Sequence, residues 1–304
     1  MRDRPATING QPARRLSFGG HDSFPFRYGW IRKGVLAANE NPHAFQREDA
    51  VCRLGVGKNM VRSIRTWCLA TQMLREQPSG RPAGLEPTEV AKSVFLDAGG
   101  DPYLEDPGTL WLLHWLLLTN GERLSLWNLA FMESRENEFT KEDLLEIARG
   151  KAAQLGQPID AKTVARDAEV FVRTYVASRR IAAEESFDCP LAELGLVAQD
   201  GDRLFFVVGP KRTLPPWVFG YALLEFLCSR GESECTLSDA TYLPGSPGQA
   251  FRLDEDAVVA LSRELQHQSY RKWLVDVDGP IRRLGVLEHL EPLQLLRRSI
   301  GGRL

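Results

Sequence analysis

The sequence predicts a mainly α-helical protein with small β wings, arranged as tandem winged-helix or helix-turn-helix-like units. Three features point there. Residues 46–70 read as a helix, a glycine turn and a strongly basic helix; other segments carry apolar residues at helical spacing behind recognisable caps; and the strand signals are short and follow helices.

Residues 1–15 lack the apolar centre of a signal peptide and are expected to form a flexible leader. The first folded unit, 16–105, opens with a helix expected from Ser23 as its cap, with Pro25 in the first turn, through Arg27, Trp30 and Lys33 to about Ala38. A second helix is expected over 46–54. Gly55-Val56-Gly57 makes the turn, and the basic helix follows. Residues 52–75 hold five basic residues, Arg53, Lys58, Arg62, Arg65 and Arg75, and no acidic one. At roughly 100° per residue, Lys58, Arg62 and Arg65 lie within about 60° of one another, beside an apolar arc of Val61, Ile64 and Cys68. Such a helix either offers three cations to a polyanion or is a core helix with a solvated basic face. Solvated faces usually mix charge signs for i, i+4 support, so the missing acids favour the polyanion. The Gly/Pro-rich stretch 78–87 leads to 88–97, which reads as a wing strand or a short amphipathic helix.

The second unit, 106–212, begins with a buried helix over 109–119, in which Trp111, Leu112 and Trp115 read as core rather than as a base-stacking platform. A further helix is expected over 125–132. Thr140 caps a helix over 141–151 with Asp143 placed for a capping box, and Asp160 or Thr163 starts another that reaches about residue 178. Gln199-Asp200-Gly201-Asp202, between LGLVA and RLFFVV, signals a hairpin. In the third unit, 213–304, Pro215 and Pro216 open a helix carrying Trp217, Tyr221, Leu224 and Leu227. A second helix covers 254–270, and a short β element within 273–295 precedes a basic tail helix. This unit reads as a partner or dimer surface.

Charge is unevenly spread. The formal net charge is −2, yet residues 1–75 contain 13 Lys/Arg against 5 Asp/Glu and the remainder 25 against 35. A local polyanion site fits this gradient better than a generally adhesive surface. The apolar run 110–118 is too short to span a bilayer, so no membrane partner is expected. Cys52, Cys68, Cys189, Cys228 and Cys235 are odd in number and widely spaced, which suits reduced cytoplasmic thiols and not a zinc site.

FGGHDSFPFR, residues 18–27, is the stretch most like an active site. His21 as general base, Asp22 as ligand of a divalent metal (Mg²⁺ or Mn²⁺), and Arg27 with Lys33 neutralising developing charge would suit phosphodiester cleavage. The competing reading makes Asp22 and Ser23 helix caps and His21 a structural histidine; the usual nuclease signatures are missing. Lys33, Arg53, Lys58, Asn59, Arg62 and Arg65 are the expected DNA-backbone contacts. GVGKN lacks the upstream glycine of a phosphate-binding loop and ends in Asn, which argues against nucleotide hydrolysis. Asp254, Glu255 and Asp256 read as a first helical turn, and His43, His114, His267 and His289 have no partners at ligand spacing.

GGHDSFPFRYGWIRKG (19–34) followed by LGVGKNMVRSIRTWCLA (54–70) resembles the SspB-like family of the bacterial single-strand DNA phosphorothioation (Ssp) defence system. The second stretch is the more specific, and the match covers mainly 16–75. The resemblance implies a DNA nickase that opens one strand so that partners can replace a non-bridging phosphate oxygen with sulfur. The partners it implies are a cysteine desulfurase, an ATP-pyrophosphatase-like enzyme and an ATPase. It carries no catalytic assignment, so cleavage by His21, Asp22 and Arg27 rests on the residues alone. The alternative is a non-catalytic winged-helix adaptor or regulator that recruits modification enzymes. A symmetric dimer is the expected way to extend a short half-site.

Overall fold

The computed structural model describes residues 7–8, 11–12, 15–78, 80, 82–98, 100–134, 136–177, 189–268, 272–288 and 290–299. The expected leader lies mostly outside them, as do residues 178 and 270 and His289; within the leader, β1 (Thr7–Ile8) pairs antiparallel with β2 (Gln11–Pro12). The first helix, α1 (Trp30–Glu40), starts at Trp30 and not at Ser23. Asp22 and Ser23 have φ of 45° and 66°, left-handed values foreign to the extended backbone of an N-cap. The helix expected over 46–54 divides into a 3₁₀ turn, Ala44–Gln46, and α2 (Ala50–Leu54). The basic helix, α3 (Lys58–Ala70), follows as expected and buries Val61, Ile64, Trp67, Cys68 and Leu69. It lies tightly on α1, because a Cβ on Gly34 would come within 2.4 Å of Cys68 Sγ. Behind it β3 (Leu74–Glu76) and β4 (Leu85–Pro87) form an antiparallel hairpin. The β wing therefore falls on this hairpin, and the segment after it is helical: Thr88 Oγ1 accepts the Ala91 N–H and starts α4 (Glu89–Phe95).

Asp106 caps α5 (Pro107–Thr119), whose residues from Gly108 to Leu118 are all buried. A helix apolar on every side belongs inside a core. Next come α6 (Ser125–Asn128), which runs into a π-helical segment, Leu129–Glu133, and β5 (Glu138–Phe139). The capping box of Thr140 and Asp143 starts α7 (Lys141–Gln154), and Asp160 caps α8 (Ala161–Tyr175). A 3₁₀ helix, Pro190–Leu194, leads to β6 (Val197–Asp200) and β7 (Arg203–Phe206), which turn at Gly201-Asp202 and complete a sheet of order β5-β7-β6. The last part runs through α9 (Pro216–Arg230), β8 (Glu234–Thr236), α10 (Leu237–Tyr242), α11 (Pro247–Phe251), α12 (Glu255–Gln268), β9 (Trp273–Asp276), β10 (Arg283–Val286) and α13 (Pro292–Ser299). Its antiparallel sheet has the order β8-β10-β9. The architecture is mainly α with small β wings. One hydrophobic core runs through all three parts, from Leu16 to Leu296. No helix among the described residues is long and apolar enough to cross a membrane.

His114 shows what this core does to a polar group. It is fully buried in α5, with Nε2 2.9 Å from the Ala250 carbonyl and Nδ1 2.8 Å from the Tyr175 hydroxyl. A carbonyl only accepts, so the ring hydrogen sits on Nε2 and Nδ1 accepts from Tyr175. Burial pushes the pKa down from 6.5 to about 3, with the Arg252 charge adding to the effect. The unfolded chain thus takes up this proton at a higher pH than the folded one. The resulting stability is complete above pH 6.5 and is lost as the pH falls toward 3, at up to about 1.4 kcal/mol per pH unit. Glutamine can reproduce both bonds without titrating. Urea unfolding of His114→Gln between neutral and acid pH should show a smaller acid loss than wild type; equal losses would refute the assignment.

Candidate nucleic-acid interface

Residues 19–24 form a tight turn wedged between α3 and α8. Gly19, Gly20, Asp22 and Ser23 all have left-handed φ, of 76°, 84°, 45° and 66°. The glycines take this conformation freely, whereas Asp22 and Ser23 each hold on the order of 1–3 kcal/mol of strain, which the surroundings must fix in place. From α3, the Ser63 hydroxyl donates to the His21 carbonyl at 3.0 Å, the Thr66 hydroxyl to the Gly20 carbonyl at 2.7 Å, and Trp67 Nε1 to the Phe24 carbonyl at 2.9 Å. From α8, both Asp167 carboxylate oxygens accept the Gly19 N–H, at 3.0 and 2.9 Å, and Arg173 donates to the Ser23 carbonyl.

His21 closes this network. Its Nδ1 accepts the Ser23 N–H at 3.2 Å, which leaves the ring hydrogen on Nε2 to donate to Asp167 Oδ1 at 2.9 Å. Both side chains are 0% exposed. Trp67 and Trp127 pack against the imidazole with centroids 6.3 and 5.9 Å away. In this conformation His21 is fully buried and holds the shape of the turn, as the structural reading of the histidine expects; the general-base reading would need the turn to open.

Asp22 is partly exposed. Its Oδ2 lies 3.0 Å from Arg62 Nε as an ion pair, but without hydrogen-bond alignment. Arg62 Nη2 also donates to Asn59 Oδ1 at 2.7 Å. The fold thus brings Asp22, Asn59 and Arg62 together at the exposed end of α3, where Lys58 is also exposed. The Lys58 side chain makes no hydrogen bond or ion pair among the described residues. Gly57, the N-cap, contributes no side-chain bond, and no acid lies in the first turn. The other expected cations are engaged elsewhere. Arg27 stacks over Phe24 and Trp30 at 5.9 and 5.6 Å. Lys33 Nζ donates to the Leu54 carbonyl at 3.1 Å. Arg53 pairs with Glu40 at 3.0 Å, and Arg65 with Glu76 at 3.0 Å, an acid shared with Arg123. Exposed pairs of this kind are worth about 1 kcal/mol or less, so a phosphate can displace them.

Sequence reasoning missed the α8 side of the site, above all Asp167. One signal was available: Asp167 falls within the apolar stripe of Val164, Ala168 and Phe171, all buried in α8. An acid there needs a buried partner.

The family model described as "Protein of unknown function (DUF4007)" matches residues 18–290. Two solved structures are similar over nearly the whole chain. One, an SspB crystal structure, is 31% identical, with a TM-score of 0.83, and covers 94% of this chain and 91% of its own. The other, a magnesium ion-bound SspB crystal structure, is 31% identical, with a TM-score of 0.82, and covers 93% and 89%. No curated protein matches the sequence.

Proposed function

The chain belongs to the DUF4007 family, to which SspB is related in sequence and fold, and on that premise we propose that it binds DNA within a bacterial phosphorothioate modification system. The solvent-facing end of α3 grips the sugar-phosphate backbone in this reading. One observation carries it: Lys58, Asn59 and Arg62 are exposed together on a helix that buries its opposite face and contains no acid. An uncapped helix N-terminus beside two cations and an amide suits phosphate oxygens. Arg62 exchanges Asp22 for a phosphate, and Lys58 has no partner among the described residues to give up. The modification chemistry itself falls to the partners that the family implies, a cysteine desulfurase, an ATP-pyrophosphatase-like enzyme and an ATPase. Binding of a labelled duplex over a salt series tests the reading. Lys58→Ala combined with Arg62→Ala should lower the log–log salt slope by about 2 units. An unchanged slope sinks it.

Nicking of one strand is a second reading, favoured by a relative crystallised with magnesium. The residues of the 19–27 segment do not fit a divalent cation. Magnesium takes near-octahedral oxygen ligands, but Asp22 Oδ2 faces a guanidinium, and Asp167 is committed to Gly19 and His21. Among the described residues no group of three His, Cys, Asp or Glu side chains could hold a metal. No hydrolytic step is therefore assigned to these residues. Relaxation of supercoiled plasmid in Mg²⁺ or Mn²⁺, lost in Asp22→Asn, would establish nicking here. Binding without relaxation would favour an adaptor that recruits the modification enzymes.

A further inference from the structure

We propose that α8 forms the second half of the DNA grip, so that the phosphate backbone crosses the 19–24 turn between cations of α3 and cations of α8. This rests on the reading of the chain as a DNA-binding protein and extends it to a surface outside the basic N-terminal part. Lys162, Arg166 and Arg173 are exposed. On a helix of 100° and 1.5 Å per residue they fall within about 40° of one another, in a row about 16 Å long. That length matches roughly five nucleotides of one strand.

The row is joined to the turn at Arg173, which donates to the Ser23 carbonyl. On the adjoining face of α8, Asp167 holds Gly19 and His21. Gly19 lies so close to the helix that an added Cβ would sit 3.1 Å from Thr163 Cγ2. The same turn is bonded to α3 through Ser63, Thr66 and Trp67. Both sets of cations are therefore mounted on one rigid wedge, which fixes their separation before any ligand arrives and lowers the ordering cost of binding.

The charge is available as well. The side chains of Lys162 and Arg166, like that of Lys58, make no hydrogen bond or ion pair among the described residues. The one acid in the row, Glu169, is neutralised by Lys141 Nζ at 2.6 Å. The row thus keeps a net positive charge inside a part of the chain that is acidic in total, the charge pattern of a local phosphate track.

The experiment uses the full chain and a labelled DNA duplex, with affinity measured across a salt series. Lys162→Ala combined with Arg166→Ala should weaken binding about tenfold or more and lower the salt slope by about 2 units. Arg149→Ala, which removes a cation already paired with Glu146 on α7, should leave the slope unchanged. Both α8 side chains are exposed, so the thermal midpoint of the double variant should match wild type. If that variant keeps the wild-type slope while Lys58→Ala with Arg62→Ala lowers it, the α8 proposal is overturned and the α3 reading stands. If neither pair changes the slope, both fall together.

Discussion

Replacing Asp167 with alanine should lower the unfolding free energy by about 2–5 kcal/mol, because two buried donors lose their acceptor at once. Asp167 is fully buried and accepts from two groups, the Gly19 N–H and His21 Nε2. Alanine leaves both donors without an acceptor in a space that water does not reach, and each such orphan costs about 1–3 kcal/mol. The strain at Asp22 and Ser23 is then held by the α3 bonds and by Arg173 alone. Asparagine should cost less, because its amide oxygen still accepts one of the two bonds. Urea unfolding with unchanged m-values is the measurement. A loss below about 1 kcal/mol for alanine would show that the pair does not hold the turn.

Trp67→Ala should cost about as much, 3–5 kcal/mol, for a different reason. The indole is fully buried and packs against Phe26 and Trp127, with centroids 5.4 and 5.5 Å away. Its loss opens a cavity at the point where α3, the turn and the Trp127 segment meet. Trp67→Phe should retain most of the packing and lose mainly the hydrogen bond to the Phe24 carbonyl, about 1–2 kcal/mol. Thermal unfolding of the two variants separates the terms. If alanine costs no more than phenylalanine, cavity formation is not the governing effect.

Much of this fold was legible because its signals are local. The Thr140 and Asp143 capping box, the Asp160 cap, the Pro216 start of α9 and the Gly201-Asp202 hairpin each follow from chemistry within a few residues. The burial of Val61, Ile64 and Cys68, and the exposure of Lys58 and Arg62, follow from helical periodicity alone. The start of α1 was misread for a related reason. Ser23 before Pro25 is a good local cap signal, but the turn takes Ser23 into the left-handed region and delays the helix to Trp30.

The candidate site was legible only in part. Its residue types, a histidine and an aspartate next to glycines, read equally well as catalyst or as scaffold. What distinguishes them is a partner 146 positions away, Asp167, reached only once α8 packs against the turn. The same packing puts Asp22 against Arg62 and brings Arg173 of α8 to the Ser23 carbonyl. Most helices and their apolar faces follow directly from the residues, because period and capping act over one or two turns. Only the tertiary structure fixed which polar groups pair with which, His21 with Asp167 and Asp22 with Arg62. Desolvation and ion pairing depend on contacts between distant segments, and no local pattern encodes them.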